Sequence, residues 1–75
     1  MSNRKRKADR HEVSVLCDLD IPTGRIWYQV TDRGGILAQG YCASRRDVAR
    51  EATRVSALAL NVPEGRIKIN RVVDA

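Results

Sequence analysis

Apolar and polar residues alternate one for one from Val13 to Asp20. Val13, Val15, Cys17 and Leu19 fall on one side, and Ser14, Leu16, Asp18 and Asp20 on the other. A period of two is that of a strand with one buried face, and Pro22-Thr23-Gly24 closes it with a turn. A second strand is predicted over residues 25–31, with Ile26, Tyr28 and Val30 on one face and Trp27, Gln29 and Thr31 on the other. Asp32-Arg33-Gly34-Gly35 then leads into a third strand over 36–42. A three-residue loop with Gly34 left-handed is a favoured hairpin connection. It sets Val30 opposite Ile36 and Tyr28 opposite Ala38, so the apolar sets share a face. A two-residue loop would carry Trp27 and Gln29 onto the Ile36 face instead. Since a slip of one residue exchanges the faces of a whole strand, the three-residue loop is the better fit.

The period lengthens to that of a helix between Ser44 and Leu60. Val48, Ala52, Val55 and Ala59 recur at i, i+4, i+7 and i+11 as an inward stripe, thickened at its end by Leu58, Leu60 and Val62. Ser44 is a good N-cap, and Asp47 three residues on makes an acidic variant of the capping box. Asn61 and Pro63 stop the helix. After the Pro63-Glu64-Gly65 turn, residues 66–73 predict a fourth strand with Ile67, Ile69 and Val73 inward. The order β-β-β-α-β predicts an α+β two-layer sandwich. Its antiparallel sheet of three to four strands would carry one helix packed on one face. Residues 1–11 show no periodicity and predict a basic disordered arm, which leaves 12–75 as a single α+β domain.

Charge separates these two parts. Of fourteen Lys and Arg and nine Asp and Glu, Met1–Arg10 holds five of the first and one of the second, so +4 of the net +5 lies there. The rest of the chain is close to neutral. A sequence-independent attraction to nucleic acid needs clustered cations, because each neutralised phosphate releases condensed counterions. Only Arg4, Lys5, Arg6, Lys7 and Arg10 supply such a cluster within a short stretch. A localisation signal and a solubilising tail share that composition.

The chain of 75 residues is one domain. A body of this size buries only about 60% of its unfolded surface, so pairing with a copy or a partner would relieve its marginal stability. No stretch suits a membrane span, and no apolar segment follows the N-terminal charges as in a secretory signal. Cys17 and Cys42 lack metal-ligand spacing and fall on inward strand positions. They read as buried reduced thiols, with a cross-strand disulfide as the alternative. A cytoplasmic location fits these features.

No catalytic machinery stands out. His11, the one histidine, is apart from any nucleophile or carboxylate cluster, and no phosphate-cradling glycine loop occurs. The expectation is a non-enzymatic protein with no cofactor, metal or small-molecule substrate. Asp18 and Asp20 share a strand face that would suit a cation, but they read as a solvated strand end. Arg46, Arg50 and Arg54 form one row on the outer face of the helix, beside Arg45. Such a row invites an external anion, while Asp47 and Glu51 can neutralise Arg50 and Arg54 locally. The outer sheet face is expected to show Leu16, Trp27, Gln29, Leu37, Gln39 and Tyr41. That is more apolar surface than a lone monomer needs, and it marks Trp27, Leu37, Tyr41 and Gln39 as a protein interface, or a homodimer interface. A different strand register would place Trp27 in the core.

Two resemblances follow from these residues. The basic arm, Arg25-Ile26-Trp27-Tyr28-Gln29-Val30, the Gly34-Gly35 turn, Gly40 and the Ser44 helix together resemble the arm-type DNA-binding domain of tyrosine-recombinase integrases. That family places a three-stranded sheet in the major groove behind a basic tail. The resemblance implies DNA contact by the arm and by Arg25, Trp27, Gln29 and Gln39. The fourth strand and the shortage of Lys and Arg on the sheet face depart from it. The order β-β-β-α-β, with Gly34-Gly35-Ile36-Leu37-Ala38-Gln39-Gly40 leading into a Ser-capped helix, is also similar to the small domain of HicB-type antitoxins over residues 13–73. It implies a module that caps a partner protein, an outline shared by compact phage inhibitors such as anti-CRISPR proteins. The leading expectation is a non-enzymatic nucleic-acid-binding protein of phage or mobile-element type, with phosphate affinity from the basic arm (Arg4, Lys5, Arg6, Lys7, Arg10) and from the helix row Arg46, Arg50 and Arg54. A protein-binding inhibitor is the alternative.

Overall fold

The computed structural model describes residues 10–75. Strands β1 (His11–Asp20), β2 (Arg25–Asp32) and β3 (Gly35–Cys42) form a meander. A 3-10 turn (Arg45–Asp47) enters helix α1 (Val48–Leu60), and a second turn (Glu64–Arg66) enters β4 (Ile67–Asp74). The sheet order is β3-β2-β1-β4. α1 packs on one face, giving the expected α+β two-layer arrangement. β1 begins at His11, two residues before the apolar alternation, so His11 belongs to the sheet. Arg4, Lys5, Arg6 and Lys7 of the expected arm lie outside the described residues.

The sheet is mixed rather than wholly antiparallel. α1 carries the chain from one edge of the sheet to the other, and β4 therefore pairs with β1 in parallel, from His11 opposite Ile67 to Cys17 opposite Asp74. Strand periodicity alone says nothing about direction. A bulge at Asn70 breaks the alternation of β4 between the Val13–Ile69 and Ser14–Arg71 pairs. Val72 thereby joins the core beside Ile67 and Ile69, and Val73, expected inward, lies exposed next to Leu16.

The β2–β3 hairpin corrects the predicted register. Asp32 pairs with Gly35, so the loop is the two residues Arg33 and Gly34, and Val30 faces Ala38 rather than Ile36. The Asp32 carboxylate accepts the Gly34 N–H at 2.8 Å, which fixes the turn. The left-handed glycine is Gly35, at φ +117°, not Gly34. A bulge between the Val30–Ala38 and Thr31–Ile36 pairs leaves Leu37 without a cross-strand partner. It reconciles the tight loop with a buried Val30 and Tyr28: residues 38–42 keep the expected faces, while Ile36 and Leu37 exchange theirs. Ile36 is 62% exposed, and Leu37 packs against the core.

The core is small and built largely of β-branched and small side chains. Val13, Val15, Cys17, Tyr28, Val30, Val48 and Ala52 form its buried cluster, with Ile26, Leu37, Cys42, Val55, Ile67, Ile69 and Val72 packed around it. Tyr28 is the one large ring, and it needs the bare backbone of Gly40 directly opposite. A Cβ on Gly40 would stand 2.9 Å from the Tyr28 hydroxyl oxygen. On α1, Ser56 and Ala57 are buried, and Ala59 and Leu58, expected to help fill the interior, are exposed. The helix ends on Asn61 at φ 58°, with Val62 N–H bonded to the Ala57 carbonyl at 3.0 Å and Asn61 N–H to Leu58 at 3.3 Å. These paired bonds satisfy the last carbonyls and turn the chain toward β4. The N-terminus differs from expectation: the Ser44 hydroxyl bonds the Asp47 carboxylate at 3.1 Å, and no side chain caps a backbone N–H there.

Candidate functional site

Because α1 covers one face of the sheet, the other is left bare by the described residues. Its residues follow from the register. Trp27 lies between Asp18 and Tyr41, Gln29 between Leu16 and Gln39, and Thr31 between Ser14 and Ile36. Val73 flanks Leu16 on the β4 side. Trp27 is half-buried in this row and does not lie beneath the helix; Tyr41 beside it is 51% exposed. The centre of the face is thus an aromatic pair, two amides and aliphatic side chains. Its margin carries both signs, with Glu12 beside Lys68, Arg71 beside Ser14 and Asp20 beside Arg25. Of the four interface residues expected from the sequence, Trp27, Gln39 and Tyr41 come together here and Leu37 does not. The bulge turns Leu37 to the helix side and puts Ile36 in its place. Ile36 and Val73 were missed because bulges, unlike alternation, leave no mark in the apolar pattern.

The arginines of α1 and its entry turn are mostly engaged. Arg50 meets Asp47 at 3.3 Å, Arg54 meets Glu51 at 2.8 Å, and Arg45 reaches across to Asp74 at 2.8 Å. Arg46 makes no ion pair among the described residues. The Arg45 guanidinium, and then the Cys17 thiol, hold the Asp74 carboxyl below the usual carboxylate range. Hydrogen bonding to their carboxylates pushes Arg45 and Arg54 higher still. Exposed, solvent-screened pairs of this kind add little to stability, yet they leave the row little uncompensated charge for an external anion.

Arg10, the last of the five clustered cations, lines an open polar hollow of about 680 Å³ together with His11, Ser14, Thr31, Arg33 and Asn70 among others. The two carboxylates at its wall have local partners. Glu12 accepts from the Asn70 amide at 3.2 Å, and Asp32 accepts the Gly34 N–H. Asp18 and Asp20 at the far end of β1 are likewise engaged, by the Leu19 N–H at 2.8 Å and the Thr23 hydroxyl at 2.6 Å. Among the described residues, no cluster of three or more His, Cys, Asp or Glu could hold a metal ion.

The thiols are free, and a disulfide between them is excluded by topology. Cys17 is on β1 and Cys42 on β3, with β2 between. Two strand spacings come to about 9.5 Å, beyond the roughly 7 Å that a disulfide spans between Cα atoms. Burial pushes both thiols up, Cys17 further aided by its 3.3 Å contact with Asp74. Both are therefore poor nucleophiles at neutral pH. Among the described residues, no helix is long and apolar enough to cross a membrane. Comparison with protein-family models, curated proteins and solved structures gave no match, so the site rests on its own geometry.

Proposed function

We propose that this chain is a non-enzymatic nucleic-acid-binding protein of phage or mobile-element type, acting in the cytoplasm, whose phosphate affinity resides in Arg4, Lys5, Arg6, Lys7 and Arg10. The observation that carries it is the segregation of charge. The leader holds +4 of the net +5, while Arg45, Arg50 and Arg54 of the folded body are matched by Asp74, Asp47 and Glu51. On the body, Arg46 makes no ion pair among the described residues, and Arg33 lines the hollow beside Arg10 together with Glu12 and Asp32. Neutralising about four phosphates gives a salt slope near −3.6, an affinity loss on the order of a hundredfold between 50 and 200 mM salt. Binding to a random duplex should show that slope, and a chain lacking residues 1–10 should lose most of it. Undiminished binding by the shortened chain would refute the assignment.

The second reading is a protein-binding inhibitor, antitoxin-like or anti-CRISPR-like, and it is favoured by the uncovered Trp27–Tyr41 pair. Tryptophan and tyrosine are typical anchors of protein interfaces, and the mixed-sign margin of this face suits a protein better than a phosphate backbone. Trp27→Ala should then cost partner affinity about 2 kcal/mol or more. A complex that tolerates this substitution would eliminate the second reading.

A further inference from the structure

We infer that β3 is a self-pairing edge, and that two copies of this chain join there into one continuous eight-stranded sheet. This goes beyond either functional reading and is compatible with both. The sheet has two edges, and they differ in kind. Each edge strand holds one bulge, at Asn70 in β4 and at Leu37 in β3, but β4 carries Lys68, Arg71 and Asp74, charges that discourage pairing with another chain. β3 reads Gly35-Ile36-Leu37-Ala38-Gln39-Gly40-Tyr41-Cys42, with no charge and no proline along its length. Among the described residues, its outer row of backbone N–H and C=O groups has no partner in a loop, a turn or a side chain. An uncharged strand of this length with an open ladder is a template for another strand.

Symmetry indicates which strand. A two-fold contact brings each residue near the axis close to its own copy, so a charge there lies near a like charge. β4 would oppose Lys68 and Arg71 to their equivalents, whereas β3 brings no such penalty. Burial fixes the register. Antiparallel pairing about Gly40 sets Tyr41 opposite Gln39 of the second copy and Ala38 opposite its Cys42, which keeps helix-side residues on the helix side. Pairing about Gln39 would instead set Tyr41 opposite Leu37, whose side chain the bulge has turned to the other face. In the preferred register the Trp27–Tyr41 rows of both copies merge into one broad face, with a helix from each copy beneath.

Sedimentation equilibrium of the full chain from micromolar to millimolar concentration tests this. The parent should pass from monomer to dimer. Gln39→Lys places a cation beside the axis on an exposed position, and should weaken the dimer by about tenfold or more, since the two copies of that charge come together across the interface. Lys68→Gln on the opposite edge should leave it unchanged. If Gln39→Lys does not fold, hydrogen exchange of the parent decides: protection of alternate β3 amides must rise with concentration. A chain that stays monomeric throughout overturns the inference. So does a dimer that survives Gln39→Lys but is lost with Trp27→Ala, because the copies would then meet face to face.

Discussion

Replacing Gly40 by alanine tests how tightly the Tyr28 ring is packed against β3. The new Cβ would lie 2.9 Å from the Tyr28 hydroxyl oxygen and 3.2 Å from the ring carbon that bears it. Ordinary contacts begin near 3.4 Å, so something must move. The Tyr28 ring is 3% exposed and held among Val30, Cys17 and the helix, so little room is available for it. Overpacking of this kind costs about 1–3 kcal/mol. Removing a glycine from a strand interior returns about 0.5–1 kcal/mol. A net loss of about 1–2 kcal/mol is expected, and at about 4–8 °C per kcal/mol it would lower Tm by about 4–16 °C. Tyr28→Phe deletes the atom in closest conflict and leaves a contact that a few tenths of an ångström would relieve. In the Tyr28→Phe background the same Gly40→Ala change should cost at least about 1 kcal/mol less, a coupling that a double-mutant cycle measures directly. Thermal and urea unfolding of the four proteins, followed by circular dichroism, supply the values. A Gly40→Ala protein as stable as its parent would refute the reasoning, as would a penalty that is identical with and without the hydroxyl.

The other predictions concern a buried hydroxyl and an exposed carboxylate. Ser56 is fully buried on α1, and its hydroxyl has no hydrogen-bond partner among the described residues. Ser56→Ala removes a desolvated group worth about 1–3 kcal/mol and should raise Tm; a fall would mean that the hydroxyl is bonded. The Asp74 carboxyl has a folded pKa below its unfolded value because of Arg45. Its contribution to stability is therefore present above the ordinary carboxylate pKa and is lost as pH falls through the lowered folded value. Asp74→Asn should flatten the acid limb of stability against pH, and an unaltered limb would show that the pair does not operate in solution.

Much of this protein was legible in its sequence. Four strands, one helix, their order and the inward set Val13, Val15, Cys17, Tyr28 and Val30 follow from two periodicities, because burial of one face imposes the repeat of the backbone itself. The charge contrast between leader and body is also a property of sequence alone. Which charges remain available is not. Arg50 and Arg54 lie one helical turn from their carboxylates, so their neutralisation is visible in the spacing. Arg45 meets Asp74 only because β4 returns parallel to β1, twenty-nine residues later along the chain. The faces of Ile36, Leu37, Val72 and Val73 likewise depended on two bulges, each set by how neighbouring strands must align to bury Val30 and Val15 together. Local pattern determines which residues seek the interior; where strands meet, and hence which apolar side chains are left outside, is a non-local matter that only the assembled sheet decides.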